Sequence, residues 1–272
     1  MSDDAPAALL AACLADRLQT RWVGRAFEWH AECHSTNDLA AERARAGAPT
    51  GLVIAADAQT AGRGRLGRTW HSPAAENLYF SLLLRPGRPP AEIPPLTLLA
   101  GAAVAGALRA LGVVPRLKWP NDVELPERPE TGGWRKVAGI LTEMASAGGE
   151  ALHVVVGIGI NINTRAFPPE IAARATSLRR ALGHDVDRAA VLAGVLEAFE
   201  PLYEAFERRG PAAAVEAFEA HAAFPAPCRV TAPGHPDGRL EGIAVGIDAD
   251  GALRLRDETG QIHRVISGEL ST

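Results

Sequence analysis

The sequence predicts a body of mixed helices and strands followed by a small all-strand module. Up to about residue 223, short apolar strand-like runs alternate with helical stretches. At Phe224-Pro225-Ala226-Pro227 the composition changes, and only short strands joined by tight turns follow. With 272 residues and 47% hydrophobic side chains, the chain can bury a substantial core. The expected division is a first domain over residues 1–224 and a second over 225–272.

The elements follow in order. Residues 5–18 are Ala/Leu-rich and read as a short helix. Ser35-Thr36-Asn37-Asp38 offers capping side chains for a helix that begins there. Residues 51–56 read as a buried strand and 77–84 as a second strand. A Pro-rich loop spans 85–95, and an almost wholly apolar helix spans 96–111, ended near Gly112. Residues 115–119 form a short strand stopped by Pro120. Residues 137–144 and 152–163 read as paired strands separated by a Gly148-Gly149 turn. Residues 188–209 and 211–223 read as helices. The module beyond has strands at 228–231, 240–247, 252–256 and 262–266. Turn signals Asp248-Ala249-Asp250-Gly251 and Glu258-Thr259-Gly260 separate them, and the module is barrel-like. At roughly 45 residues it is too small to hold much of a core alone and is expected to pack on the body.

Composition narrows the function. A net charge of −4 argues against a broad nucleic-acid-binding surface. Cys13, Cys33 and Cys228 are too scattered for a disulfide framework or a metal site and read as reduced packing residues. No basic leader and no apolar run of membrane-spanning length is read, so the expected location is the cytoplasm. His30, His34, His71 and His153 show no ligand spacing.

The most informative segment is Gly62-Arg63-Gly64-Arg65-Leu66-Gly67-Arg68, with Trp70 just beyond. Glycine lets the backbone approach a ligand closely, and arginine forks suit phosphate and carboxylate oxygens. The plain alternative is a solvated basic loop. Lysine usage is the second clue. Of 28 basic residues only Lys118 and Lys136 are lysine, within Lys118-Trp119-Pro120-Asn121-Asp122 and Lys136-Val137-Ala138-Gly139. A lysine retained where arginine serves everywhere else points to a reactive centre. Asp122 either holds Mg²⁺ or orients an amine, or Asn121-Asp122 is an Asx-type turn. In Gly157-Ile158-Gly159-Ile160-Asn161 the aliphatics alternate with glycines. The glycine face either admits a flat ligand or packs under a helix. No Walker-type phosphate loop, dinucleotide fingerprint or Ser-His-Asp arrangement is visible. From residues alone the chain reads as an enzyme handling an anionic nucleotide and a small neutral ligand.

Taken together and in this order, these motifs resemble those of bacterial biotin protein ligases of the monofunctional type. Ser35-Thr36-Asn37, Gln59, Lys136-Val137-Ala138-Gly139-Ile140-Leu141, Gly246-Ile247-Asp248 and Gly268-Glu269-Leu270 extend the match over about residues 30–271. The resemblance implies an α+β fold: a mixed β-sheet flanked by helices, like the class II aminoacyl-tRNA synthetases, plus an SH3-like β-barrel. It implies ATP-dependent formation of biotinyl-5′-AMP. Biotin then passes to one lysine of a biotin carboxyl carrier domain of acetyl-CoA carboxylase. ATP, biotin and Mg²⁺ are the implied small molecules.

By the same resemblance, Ser35, Thr36, Asn37 and Gln59 bind the biotin ureido group. Gly62, Arg63, Gly64 and Arg65 close on biotin and phosphate, and Gly157 and Gly159 line the ring. Lys136 reaches the biotin carboxylate. Arg65, Arg68, Trp70, Lys118, Asn121 and Asn161 face the nucleotide. Lys118 and Asp122 stand where phosphate, metal and acceptor lysine converge. Many relatives carry an N-terminal helix-turn-helix domain. About 30 residues precede the core here, so DNA binding is not expected; nor is a membrane partner, while a homodimer is compatible with the resemblance. Residues 122–136 are longer than in typical members and read as an extended hairpin tip. Where some relatives set a tryptophan against adenine, this chain has Ala175-Thr176-Ser177-Leu178. A lipoate or octanoate ligase or transferase of the same fold class is the first alternative function. A non-catalytic biotin-sensing regulator is the second.

Overall fold

The computed structural model describes Leu14 and residues 16–126, 133–231 and 238–271. The expected helix over 5–18 lies almost wholly outside the described residues. Its end is helical, with Leu18 N donating to Leu14 O at 2.9 Å.

A seven-stranded mixed sheet forms the body. Its strands are β1 (Phe27–Cys33), β2 (Val53–Gln59), β3 (Leu78–Leu84), β4 (Arg116–Lys118), β5 (Asp122–Pro126), β6 (Trp134–Ala147) and β7 (Glu150–Ile160). They lie in the order β1-β2-β3-β7-β6-β5-β4. Only the β1–β2 pair is parallel; the other neighbours run antiparallel. Two of these strands were not expected. β1 is an edge strand with Glu28, His30 and Glu32 interleaved among its apolar residues, and it buries little. β5 is a five-residue strand that pairs β4 on one side and β6 on the other. The expected hairpin tip beyond it falls partly on residues 127–132, outside the described residues.

The two faces of the sheet are covered unequally. Helix α1 (Thr36–Arg45) covers one face with a small apolar patch of Ala40, Ala44, Leu52, Ile54, Leu83 and Val155. Ser35 sits at its N-cap in extended backbone, but no side chain makes a capping bond there. The other face carries the main core under α2 (Leu96–Ala110), α5 (Arg188–Arg209) and α6 (Pro211–Glu219). Between them run the short helices α3 (Pro169–Ala172) and α4 (Leu178–Leu182). A helix apolar all round must be buried all round. The stretch Pro90–Ala110 is long and apolar enough by composition to cross a membrane, but 72% of it is buried in this core. Helix α6 ends four residues before the expected 223. The chain there pairs instead with β4: Leu117 N donates to His221 O, and Ala222 bridges Leu117.

The C-terminal strands β8 (Ala226–Thr231), β9 (Arg239–Ile247), β10 (Leu253–Arg256), β11 (Ile262–Val265) and β12 (Glu269–Ser271) form one antiparallel sheet, in the order β11-β10-β9-β8-β12. The barrel expectation is corrected here. Among the described residues β12 pairs with β8, and no pairing joins β11 to β12 to close the ring. Closure is not needed for burial, because Val230, Ala244, Leu253, Leu255, Val265 and Leu270 share the apolar core of the body. The C-terminal module is also tied to the body by polar contacts. Trp119 Nε1 donates to Gly251 O at 3.0 Å, and Ile247 N donates to Glu219 Oε1 at 2.9 Å.

Candidate active site

The site lies on the α1 face of the sheet, and strand alternation places it there. Along β7, Val154, Val156, Ile158 and Ile160 enter the main core, so Gly157 and Gly159 face the other way. That face is not bare. A Cβ on Gly157 would sit 2.2 Å from Asn37 Oδ1, and one on Gly159 would sit 2.5 Å from the Trp70 indole. The glycines therefore make room for an amide and an aromatic ring.

The start of α1 supplies a polar cluster. Ser81 Oγ on β3 donates to Asn37 Oδ1 at 2.6 Å and lies 2.8 Å from Thr36 Oγ1 in a hydroxyl–hydroxyl contact. Asn37 Nδ2 donates to Glu143 Oε2 at 2.6 Å. Thr36 N donates to Gln59 Oε1 at 2.9 Å, and Gln59 Nε2 donates to Ser72 Oγ at 3.1 Å. Each uncharged group is thus locked by a neighbour, with donors and acceptors interleaved. Beside them, burial and the charges of Asp38 and Glu32 push the Cys33 thiol up to about 11.

The Gly/Arg loop leaves β2 as a narrow hairpin. Gly64 N donates to Arg68 O at 2.6 Å, and Trp70 N donates to Gly62 O at 2.8 Å. Its tip is a tight left-handed turn, closed by Arg68 N donating to Arg65 O at 3.3 Å, with Leu66 at φ 56° and Gly67 at φ 72°. A left-handed leucine costs about 1–2 kcal/mol, and its side chain is 65% exposed. The three arginines diverge. Arg63 pairs with Asp38 at 2.7 Å and Glu143 at 3.0 Å. Arg65 turns inward to Asn121 Oδ1 and Gly268 O, both at 3.3 Å. Burial lowers the Arg65 pKa, opposed by the charge of Asp122. Arg68 pairs with Glu269 of β12 at 2.7 Å, which holds the Glu269 carboxyl below its usual range.

Strands β4, β5 and β6 carry the remaining charge. Lys136 Nζ pairs with Asp122 Oδ1 at 2.6 Å and lies 5.2 Å from the Trp70 ring centroid. Lys118 is opposite Asp122 in register, yet its ammonium pairs with Glu124 Oε1 at 3.5 Å. Asn121 Nδ2 donates to Ile140 O at 3.0 Å, so its turn is pinned to β6. Asn161 Nδ2 donates to Thr176 O at 3.1 Å and straps the segment after β7 to the site.

Two cavities result. The smaller, about 50 Å³, is lined by Ser35, Asn37, Gln59, Arg63, Lys136 and Gly157, among others. The larger, about 330 Å³, is lined by Arg68, His71, Lys118, Asp122, Asn161 and Glu269, among others. Gly64, Arg65, Trp70, Asn121 and Lys136 border both and form the wall between them. Every expected site residue except Gly62 lines at least one cavity. Gly62 is a close-approach position, where a Cβ would meet Ser72 Oγ and Trp70 O at 2.7 Å.

Sequence reading missed Glu124, Trp134, Phe167, Ile171 and Arg174, which also line the larger cavity. Glu124 and Trp134 share a strand face with Asp122 and Lys136, so strand alternation would have found them once β5 was recognised. Phe167, Ile171 and Arg174 lie in and around the one-turn helix α3 after β7, which is too short to leave a periodic signal. Among the described residues no group of three His, Cys, Asp or Glu side chains could hold a metal ion. The cavity's carboxylates Asp122, Glu124 and Glu269 are each paired with a cation. These residues do not by themselves make a metal site.

Comparison with known proteins agrees with this geometry. Residues 31–161 match the biotin/lipoate A/B protein ligase family, and residues 228–271 match the biotin protein ligase C terminal domain. The bifunctional ligase/repressor BirA of Bacillus subtilis is 37% identical over 93% of this chain and 76% of its own length. The biotin--[acetyl-CoA-carboxylase] ligase of Mycobacterium tuberculosis is 34% identical over 93% of both chains. The biotin protein ligase of Aquifex aeolicus, solved with biotin and ATP, superposes with a TM-score of 0.76 at 32% identity, covering 91% of this chain and 98% of that one. With the motifs in one constellation and relatives aligned along nearly its whole length, the chain belongs to the biotin protein ligase family.

Proposed function

We propose that this chain activates biotin with ATP and passes the biotinyl group to a lysine of a carboxyl carrier domain. The observation that carries this is the shared wall. Arg65 and Lys136 border a small cavity of uncharged donors and acceptors on one side and a larger cationic cavity on the other. The first suits a ureido ring, which needs one acceptor and two donors satisfied. The second suits a nucleotide. The two must meet where the cations are.

In the first step a biotin carboxylate oxygen bonds to the α-phosphorus, the phosphorus–oxygen bond to pyrophosphate breaks, and pyrophosphate leaves with the electron pair. Two anions have to approach each other, and Arg65 and Lys136 offset that repulsion in a partly desolvated site. Mg²⁺ would enter bound to the nucleotide phosphates, which would supply the oxygen ligands that the described residues do not gather. In the second step the neutral amine of the acceptor attacks the anhydride carbonyl, the carbon–oxygen bond to AMP breaks, and AMP leaves with the electron pair. Asp122, placed beside Lys136, is the carboxylate that would bind the incoming ammonium and take the proton it must lose before attack.

We infer from the same glycines how the site opens. A ring lying on Gly159 needs the space that the Trp70 indole fills, and one reaching Gly157 meets Asn37, so on this reading Trp70 moves when biotin enters. We assign residues 1–224 to the catalytic domain and 225–272 to a module that completes the nucleotide side through Gly268 and Glu269. We infer a carrier protein as the partner; a net charge of −4 gives no support to a broad DNA-binding surface. We place the reaction in the cytoplasm, where ATP is supplied. The test is mass spectrometry of a carrier domain after incubation with enzyme, ATP, Mg²⁺ and biotin. One biotinyl adduct on one lysine is expected. Equal labelling with lipoate, or none with biotin, would overturn the reading.

A further inference from the structure

Glu124 stands out because a cavity that takes a polyanion gains nothing from an extra buried carboxylate. Its side chain is 7% exposed. It lies on β5 opposite Arg116 of β4 and Lys136 of β6. Arg116 grips one oxygen, with Nη2 at 2.7 Å and Nε at 2.8 Å from Oε2. The same guanidinium sits 4.4 Å from the centroid of the Trp134 ring. The other oxygen, Oε1, faces Lys118 Nζ at 3.5 Å. A chain of contacts therefore runs Trp134, Arg116, Glu124, Lys118, with its tight end at Arg116 and its loose end at the cavity.

This asymmetry has a consequence. An arginine that gives two charge-assisted bonds to one oxygen, with an aromatic ring on its own face, fixes Glu124 in place. The single long contact to Lys118 is one the ammonium exchanges easily for a phosphate oxygen. We propose that Glu124 is a positioning residue that competes with the phosphate chain for Lys118, drawing the ammonium back so that pyrophosphate leaves. The proposal rests on the reading of the larger cavity as the nucleotide site, with Lys118 as a phosphate contact.

A purely structural Glu124 and a competing Glu124 predict opposite signs. Glu124→Gln keeps the shape and an acceptor for Arg116 but removes the charge. Inhibition by inorganic pyrophosphate, measured with Mg²⁺ present on ATP-dependent biotinylation, should then tighten about three- to tenfold. The KM for ATP should fall with it, and turnover should slow because product is retained. Glu124→Asp, which restores the charge, should return the pyrophosphate inhibition constant toward that of the wild type. An unchanged or weaker inhibition constant in Glu124→Gln would overturn the proposal, since loss of packing alone loosens both ligands. If Glu124→Gln does not fold, the charge-balanced double variant Arg116→Gln, Glu124→Gln replaces it, again with tightening expected and no change overturning the idea. Wild-type enzyme that releases no pyrophosphate when biotin is added would sink the underlying reading instead.

Discussion

Lys136 is the residue on which most of the chemistry converges. Its ammonium borders both cavities, pairs with Asp122 at 2.6 Å and lies over the Trp70 ring. Arginine keeps the charge but spreads it over a planar fork that does not fit the same point. Lys136→Arg should slow adenylate formation by about 10²-fold or more, with a smaller loss in biotin affinity. Pyrophosphate release at near the wild-type rate would reduce the lysine to a packed cation. Asp122→Asn separates the half-reactions. If Asp122 receives the acceptor, transfer from added biotinyl-AMP should fall and recover partly at higher pH, where the acceptor lysine is deprotonated without help. Normal transfer with slowed adenylation would confine Asp122 to the first step. Lys136 was legible in the sequence because lysine is so rare there, and Asp122 because it follows Pro120 at a strand end. Their direct pairing was not. Lys118 is Asp122's partner in strand register, and only the structure turns its ammonium to Glu124.

At the scale of elements, apolar runs and glycine turns were readable, while pieces that bury little were not. The alternation along β7 gave both the core face and the ligand face, since aliphatics and glycines mark them directly. The edge strand β1 left no apolar run to read. The helix-to-body tie at Glu200 was also invisible, because its partners are backbone groups 177 to 179 positions away. On α5 the Glu200 carboxylate accepts the N–H groups of Arg21 at 2.9 Å, Trp22 at 3.0 Å and Val23 at 3.1 Å. Burial pushes its pKa up, but these donors outweigh it and hold the carboxyl below its ordinary value. A lowered folded-state pKa means the stabilisation is complete above the unfolded value, about 4.3, and fades as pH falls through the folded one. Glu200→Gln leaves buried donors unmet and should cost about 2 kcal/mol in urea unfolding at neutral pH. The gap to wild type should shrink as the pH falls below about 4. A gap independent of pH would show that the tie is packing and not charge.

On the scale of the whole molecule, the chain is a poor target for its own product. Free amines attack the adenylate, and besides the amino terminus the chain offers only Lys118 and Lys136. Each lysine is engaged by a carboxylate. Arg65 ties the Gly/Arg hairpin to Asn121 and to Gly268 of the second sheet, so removing it loosens the lid at both ends. Arg65→Gly should release biotinyl-AMP and scatter biotin over the lysines of bystander proteins, while intact-mass spectra show the enzyme itself almost unlabelled. Bystander labelling no greater than with wild type would count against the role of Arg65, and heavy self-labelling would count against the insulation.

The Trp70 indole, wedged against Gly159 with its Nε1 buried and without a hydrogen-bond partner, is also an optical probe. Its emission depends on the ammonium 5.2 Å from its ring centroid and on how dry its pocket is. The other four tryptophans, Trp22, Trp29, Trp119 and Trp134, lie outside the smaller cavity. Biotin alone, added without nucleotide, should therefore change the intrinsic fluorescence of the native chain. Trp70→Phe should abolish that signal even if binding persists by calorimetry. That outcome would give the protein its own reporter of biotin binding, readable by stopped-flow fluorescence with no label attached.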